Sequence, residues 1–134
     1  MAINKGRLGA TGVLRDKEIV QSMVGRAEAM LAAARALLIA TMTDLMTATD
    51  IGGERLASER LRLRTAGAHA AKTALRVVDM LAAESGSAGI FESNRLERAF
   101  RDVHAATKHV AMTPSIYVAS GRVKLGLETG TARF

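Results

Sequence analysis

The sequence has no cysteine and no tryptophan, a single proline, and only 3% aromatic residues in 134. Without cysteine there is no disulfide framework, no zinc–thiolate site and no thiol nucleophile, and a reducing cytoplasm is permitted. Because Pro114 is the one proline, only glycine can break a helix between Ala10 and Met112. With so few aromatics, a core has to be built from Ala, Leu, Val and Met. Residues 1–12 are polar and glycine-containing and lack the apolar segment of a secretory signal. Arg35 and Asp44 interrupt the most apolar stretch, so no window offers the ~18 uninterrupted apolar residues of a membrane span.

What is present points to helices. Residues of the apolar set make up 49% of the chain, enough to bury a core, and the length suits one domain. Ala, Leu, Met, Arg and Glu are good helix formers, and Ala adds no side-chain entropy cost. The expected fold class is all-α, an up-and-down bundle of two long antiparallel helices and two shorter ones. A net charge of +6 calls for an anionic partner: nucleic acid, an acidic membrane or a phosphorylated cofactor.

Residues 1–15, with Gly6, Gly9 and Gly12, read as a flexible arm, and residues 16–134 as the bundle domain. Asp16 is the expected cap or first-turn acid of a helix over about 16–48. Its apolar residues, among them Val20, Val24, Ala27, Leu31, Ala34, Leu37 and Met42, recur at threes and fours, the spacing of one buried face. Gly52 and Gly53 end it. A second helix over about 54–84 carries Leu56, Leu63, Ala66, Ala70, Ala74, Val77, Val78 and Leu81 as its core face. Arg55, Arg60, Arg62, Arg64 and Lys72 fall on its exposed sides. A small-residue loop follows, then a third helix over about 94–111, capped by Asn94, and a fourth over about 114–125 after Thr113. Residues 126–134 are expected to fray or to pack on a neighbour.

The chemistry-bearing patterns are few. His69, His104 and His109 lack the Glu-x-x-His spacing of di-iron bundles, there is no HExxH, and no metal site is expected. Nucleotide-binding glycine loops and a GxSxG elbow are missing as well. The informative stretch is 85–127. It contains Ser85-Gly86-Ser87-Ala88, then Arg98, Arg101, Asp102 and His109, then Gly121-Arg122 and Leu125-Gly126-Leu127.

In that order these features resemble the C-terminal helical domain of the acyl-CoA dehydrogenase superfamily, and within it the branch of two-component flavin-dependent monooxygenases. The resemblance implies that Ser85, Gly86, Ser87 and Ala88 approach a flavin, FMN or FAD, because small residues allow a close backbone and free N–H groups. It implies a catalytic part for His109, whose imidazole can donate a hydrogen bond beside the flavin or take a phenolic proton near neutral pH. Arg101 is implied as a cofactor contact. The plain alternative for this helix is an exposed charge face with an Arg98–Asp102 pair at i,i+4, worth ~0.3 kcal/mol. His109 is expected on the third helix, two turns beyond Asp102 on the same face.

The resemblance further implies that the chain is the C-terminal flavin-contacting and oligomerising domain of an oxidoreductase that hydroxylates an aromatic-type substrate with reduced flavin from a partner reductase. The family carries an N-terminal helical domain, a central β domain and an earlier bundle helix with no counterpart in this sequence. An apolar groove is therefore expected where that helix would pack, and with it a homo-oligomer, dimer or tetramer, or catalytic domains on another chain. The alternatives are an acyl-CoA dehydrogenase segment, or a non-catalytic helical oligomerisation or nucleic-acid-binding module. Against the last, Arg60, Arg62 and Arg64 alternate and spread around a helix, and no aromatic platform for bases is present. A cytoplasmic protein with no membrane partner completes the expectation.

Overall fold

The computed structural model describes residues 14–85, 95–109 and 113–130. Among them are four α-helices and no strand: α1 (Glu18–Thr49), α2 (Gly53–Ser85), α3 (Arg95–Ala106) and α4 (Ser115–Lys124), with a 3-10 turn at Leu14–Asp16. The all-α bundle is thus observed. The 32 and 33 residues of α1 and α2 make rods of about 48 Å. They form an antiparallel hairpin, in which Asp44 near the end of α1 pairs with Arg62 near the start of α2 at 3.0 Å. The reversal is made by Gly52 (φ 73°) and Gly53 (φ 58°). Only glycine holds two successive left-handed residues without strain, and the Gly52 N–H closes α1 by donating to the Ala48 carbonyl at 3.0 Å.

Burial on α1 follows a strict interval of seven: Val20, Ala27, Ala34, Thr41 and Ala48. Seven residues fall about 20° short of two turns, so this row winds slowly around the helix, as a coiled-coil seam does. Its residues are small, which lets the α2 backbone come close. Thr41 is the one polar member, and its hydroxyl donates to the Leu37 and Leu38 carbonyls at 2.9 and 3.1 Å, so it is satisfied within its own helix. On α2 a matching row of seven, Glu59, Ala66 and Thr73, is buried. A second row, Leu61 and Ala68, forms a cluster with Ile116 and Ala119 of α4.

These two rows make α2 the centre of the molecule. α1 packs on α2 and on the turn before it, whereas α3 and α4 both pack on α2 and not on α1 to any comparable degree. The hairpin end is tied by a charge network. Buried Glu59 takes the Arg55 guanidinium at 3.2 Å and Arg62 at 2.6 Å, and Arg62 also reaches Asp44. Burial pulls the Arg62 guanidinium down, but the hydrogen bonds and charges of Glu59 and Asp44 outweigh it and hold the group above its ordinary value.

Several expectations need correction. Val24, Leu31, Leu37 and Met42 are exposed, not core. A helix packed against one neighbour buries a narrow seam, and the rest of its apolar stripe is left open. On α2, Ala66, Val77 and Val78 are buried as expected, but Leu61, Ala68, Thr73 and Glu59 belong with them. Asp16 does not cap α1. It sits in the 3-10 turn, 3.4 Å from its neighbour Arg15, and Lys17 occupies the cap without a side-chain bond. Over residues 126–130 the tail does not fray: Gly126 (φ 75°) makes a Schellman closure, with Leu127 N–H on the Arg122 carbonyl at 2.9 Å. Arg122 Nε then donates to the Glu128 carbonyl at 2.7 Å. Asn94 and most of the arm, residues 1–13, lie outside the described residues.

By length and composition alone, α1 is apolar enough to cross a membrane, and 11% of its most apolar 18 residues are buried. The two charges noted above, Arg35 and Asp44, still divide that stretch.

Candidate functional site

Two stripes face each other across the α1–α2 hairpin. On α1, Arg26, Ala29, Met30 and Ala33 stand at i, i+3, i+4 and i+7, one side of a helix. On α2, His69, Lys72, Thr73 and Arg76 repeat the same spacing. Together with Tyr117 of α4 they line an open groove of ≈ 760 Å³. Its lining sets Ala29, Met30 and Ala33 beside the basic Arg26, Lys72 and Arg76, and no carboxylate is among its lining residues. Arg26, Lys72 and Arg76 make no ion pair among the described residues. Asp79, one turn beyond Arg76, is already engaged, with its Oδ1 2.9 Å from His104 Nε2.

The residues expected at a flavin are placed as follows. Ser85 is the last residue of α2. Gly86, Ser87 and Ala88 lie outside the described residues. Arg101 is on α3, where its Nε pairs with Glu97 Oε1 at 2.9 Å. This i,i+4 pair takes the place of the Arg98–Asp102 pair that the spacing suggested, and neither of those two makes an ion pair among the described residues. The other carboxylate oxygen of Glu97 is shielded from solvent and has no hydrogen-bond partner among the described residues.

His109 corrects the expectation for the third helix. α3 ends at Ala106, well short of residue 111, so His109 is not on a helix face shared with Asp102. The termination has a local cause. The Thr107 hydroxyl donates to the Val103 carbonyl at 2.8 Å, and the next two N–H groups reach back only three residues, Lys108 to Ala105 and His109 to Ala106. This tightening ends the helix and leaves His109 exposed in a bend.

Sequence reasoning assigned no role to His104 or to the groove. The His104 ring lies on Phe100, with centroids 4.3 Å apart, and its contact with Asp79 fastens α3 to α2. That contact sets α3 running back along α2, so the chain passes from Asp79 at His104 to the groove at Tyr117. Ser85 and His109 are thereby set apart along α2: His104 already meets Asp79, about 9 Å down the helix from Ser85, and His109 lies five residues further on. No three His, Asp or Glu residues gather into a metal-binding group among the described residues.

Comparison with known proteins agrees with the reading of the helical pattern. The family model for the acyl-CoA dehydrogenase C-terminal domain matches residues 1–114. A pigment production hydroxylase of Rhodococcus erythropolis is 27% identical over 125 residues, 92% of this chain. An indole-3-acetate monooxygenase of Pseudomonas putida is 29% identical over 123 residues, 90% of this chain. In each case the chain spans 32% of the relative's length. With a family match across most of its length and a helical hairpin carrying the matched residues, the chain belongs to the acyl-CoA dehydrogenase C-terminal domain family.

Proposed function

We propose that the chain is the flavin-contacting and oligomerising C-terminal part of a flavin-dependent monooxygenase that hydroxylates an aromatic-type substrate. The observation that carries this reading is the match of nine-tenths of the chain to two relatives named for hydroxylation and monooxygenation. Reduced FMN or FAD, delivered by a separate reductase in the cytoplasm, supplies the electrons for activating dioxygen. The rest of the flavin envelope would come from another copy or from domains beyond these residues.

The residues present suit different parts of such a cofactor. Ser85 lies in the last turn of α2, at the negative end of the helix dipole, which disfavours phosphate. The 85–88 segment is assigned to the ring edge of the flavin, where small residues allow a close approach. His109, exposed and off the helix, is assigned the proton of a substrate hydroxyl. Arg101 approaches the cofactor with its guanidinium oriented by Glu97.

Anaerobic titration of the purified chain with reduced FMN and reduced FAD, followed by fluorescence, tests this. Micromolar binding is expected, and His109→Ala or Ser87→Ala should weaken it by about tenfold, the effect of one hydrogen bond. Absence of binding up to near-millimolar flavin would reduce the chain to a scaffold.

A further inference from the structure

We infer that the groove between α1 and α2 is a binding site for an organic phosphate: a ligand with a phosphate or diphosphate on Arg26, Lys72 and Arg76 and an apolar body on Met30. This goes beyond the flavin reading, which assigns no role to any of these residues.

Four observations carry the inference. First, three basic side chains from two helices line one concave site, and no carboxylate is among its lining residues. Like charges held together without counter-charge repel, so this arrangement is tolerated at a cost unless an anion relieves it. Second, none of the three is neutralised elsewhere among the described residues, while Arg55, Arg62 and Arg101 of the same chain all are. Asp79, the carboxylate nearest to Arg76 in sequence, is held by His104. Third, the donors are of the types that hold phosphate. Two guanidinium forks can each bind two oxygens, an ammonium adds a point charge, and the Tyr117 hydroxyl and His69 ring add further hydrogen-bonding groups. Fourth, the volume of ≈ 760 Å³ is within the range for an organic ligand, and Ala29, Met30 and Ala33 provide an apolar wall that a bare inorganic ion would leave unused. A groove-tracking nucleic acid fits less well. It needs cations continuing along the surface, but Arg62 toward the hairpin end is tied to Glu59 and Asp44.

The phosphate could be that of a flavin or that of an unrelated phosphate ester, and the test separates the two. The full chain is titrated calorimetrically at low salt with inorganic pyrophosphate, FMN and riboflavin, which lacks the phosphate. Pyrophosphate is expected to bind, and Lys72→Glu with Arg76→Glu to weaken it at least tenfold. Arg60→Glu, which reverses one charge instead of two, at an exposed position about 18 Å up α2 from Lys72, is expected to alter it less than threefold. Circular dichroism checks the fold, and Arg76→Gln alone serves if the double variant unfolds. If pyrophosphate displaces FMN but leaves riboflavin binding untouched, the ligand phosphate is the flavin's. If FMN and pyrophosphate bind without competition, the site serves another phosphate ester. No pyrophosphate binding, or equal weakening by Arg60→Glu, overturns the inference. Because neither His109 nor Ser87 is altered, failure here is distinct from failure of the flavin reading.

Discussion

Replacing Ile39, Met42 and Met46 together by lysine is expected to turn a self-associating protein into a monomer. These side chains are 56%, 50% and 65% exposed and stand on α1 away from α2. No charge falls on the helix between Arg35 and Asp44, and this outer face is mostly Ala, Leu, Ile and Met, with the hydroxyls of Thr43 and Thr47 turned back onto the helix. Surfaces of this kind on a protein are usually interfaces. Covering the three half-exposed side chains is worth about 1 kcal/mol each, so their loss weakens association by about a hundredfold or more. Burying lysine in their place weakens it further. Sedimentation velocity at tens of micromolar should show a dimer or tetramer for the natural sequence and a monomer for the variant. A monodisperse monomer of the natural sequence would remove self-association from this account.

The second large effect is expected inside the hairpin. Ala27 and Ala34 lie in the seam of α1 at 6% and 4% exposure, where α2 runs across them. Leucine at either position adds three carbons to space occupied by the facing helix. Each substitution costs about 1–3 kcal/mol by overpacking, and two turns of separation make the effects close to additive. Together they should remove about 4 kcal/mol, a large share of the roughly 5–15 kcal/mol typical of a domain. Urea unfolding followed by circular dichroism would show the midpoint falling steeply. Ala32→Leu, on the exposed side of the same helix, should change stability by less than about 0.5 kcal/mol. Equal effects at Ala32 and Ala34 would contradict the seam.

Much of the fold is legible in the residues. The apolar periodicity and the Gly52-Gly53 break define the hairpin, because glycine alone tolerates both left-handed positions. Which apolar residues are buried is less legible. Val24 and Leu31 carry the same signal as Ala27 and Ala34, and their exposure depends on how many helices α1 touches, a tertiary fact. The end of α3 is a change of N–H partner from four to three residues back at Lys108 and His109, which the apolar pattern does not encode. The groove was within reach of a longer-range argument. In a hairpin folded about Gly52, residue 26 faces the region near 76–78, which sets Arg26 opposite Arg76 and Met30 opposite Thr73. That register follows from the turn position, and periodicity within one helix does not contain it.

The central claim is that residues 85–88 and His109 touch a flavin, and hydrogen exchange locates such contact directly. Exchange of backbone amides would be compared with and without saturating reduced FMN under anaerobic conditions. The account predicts slowed exchange in peptides covering 82–90 and 104–112. Slowed exchange confined to other parts of the chain, with those two segments unchanged, would contradict it.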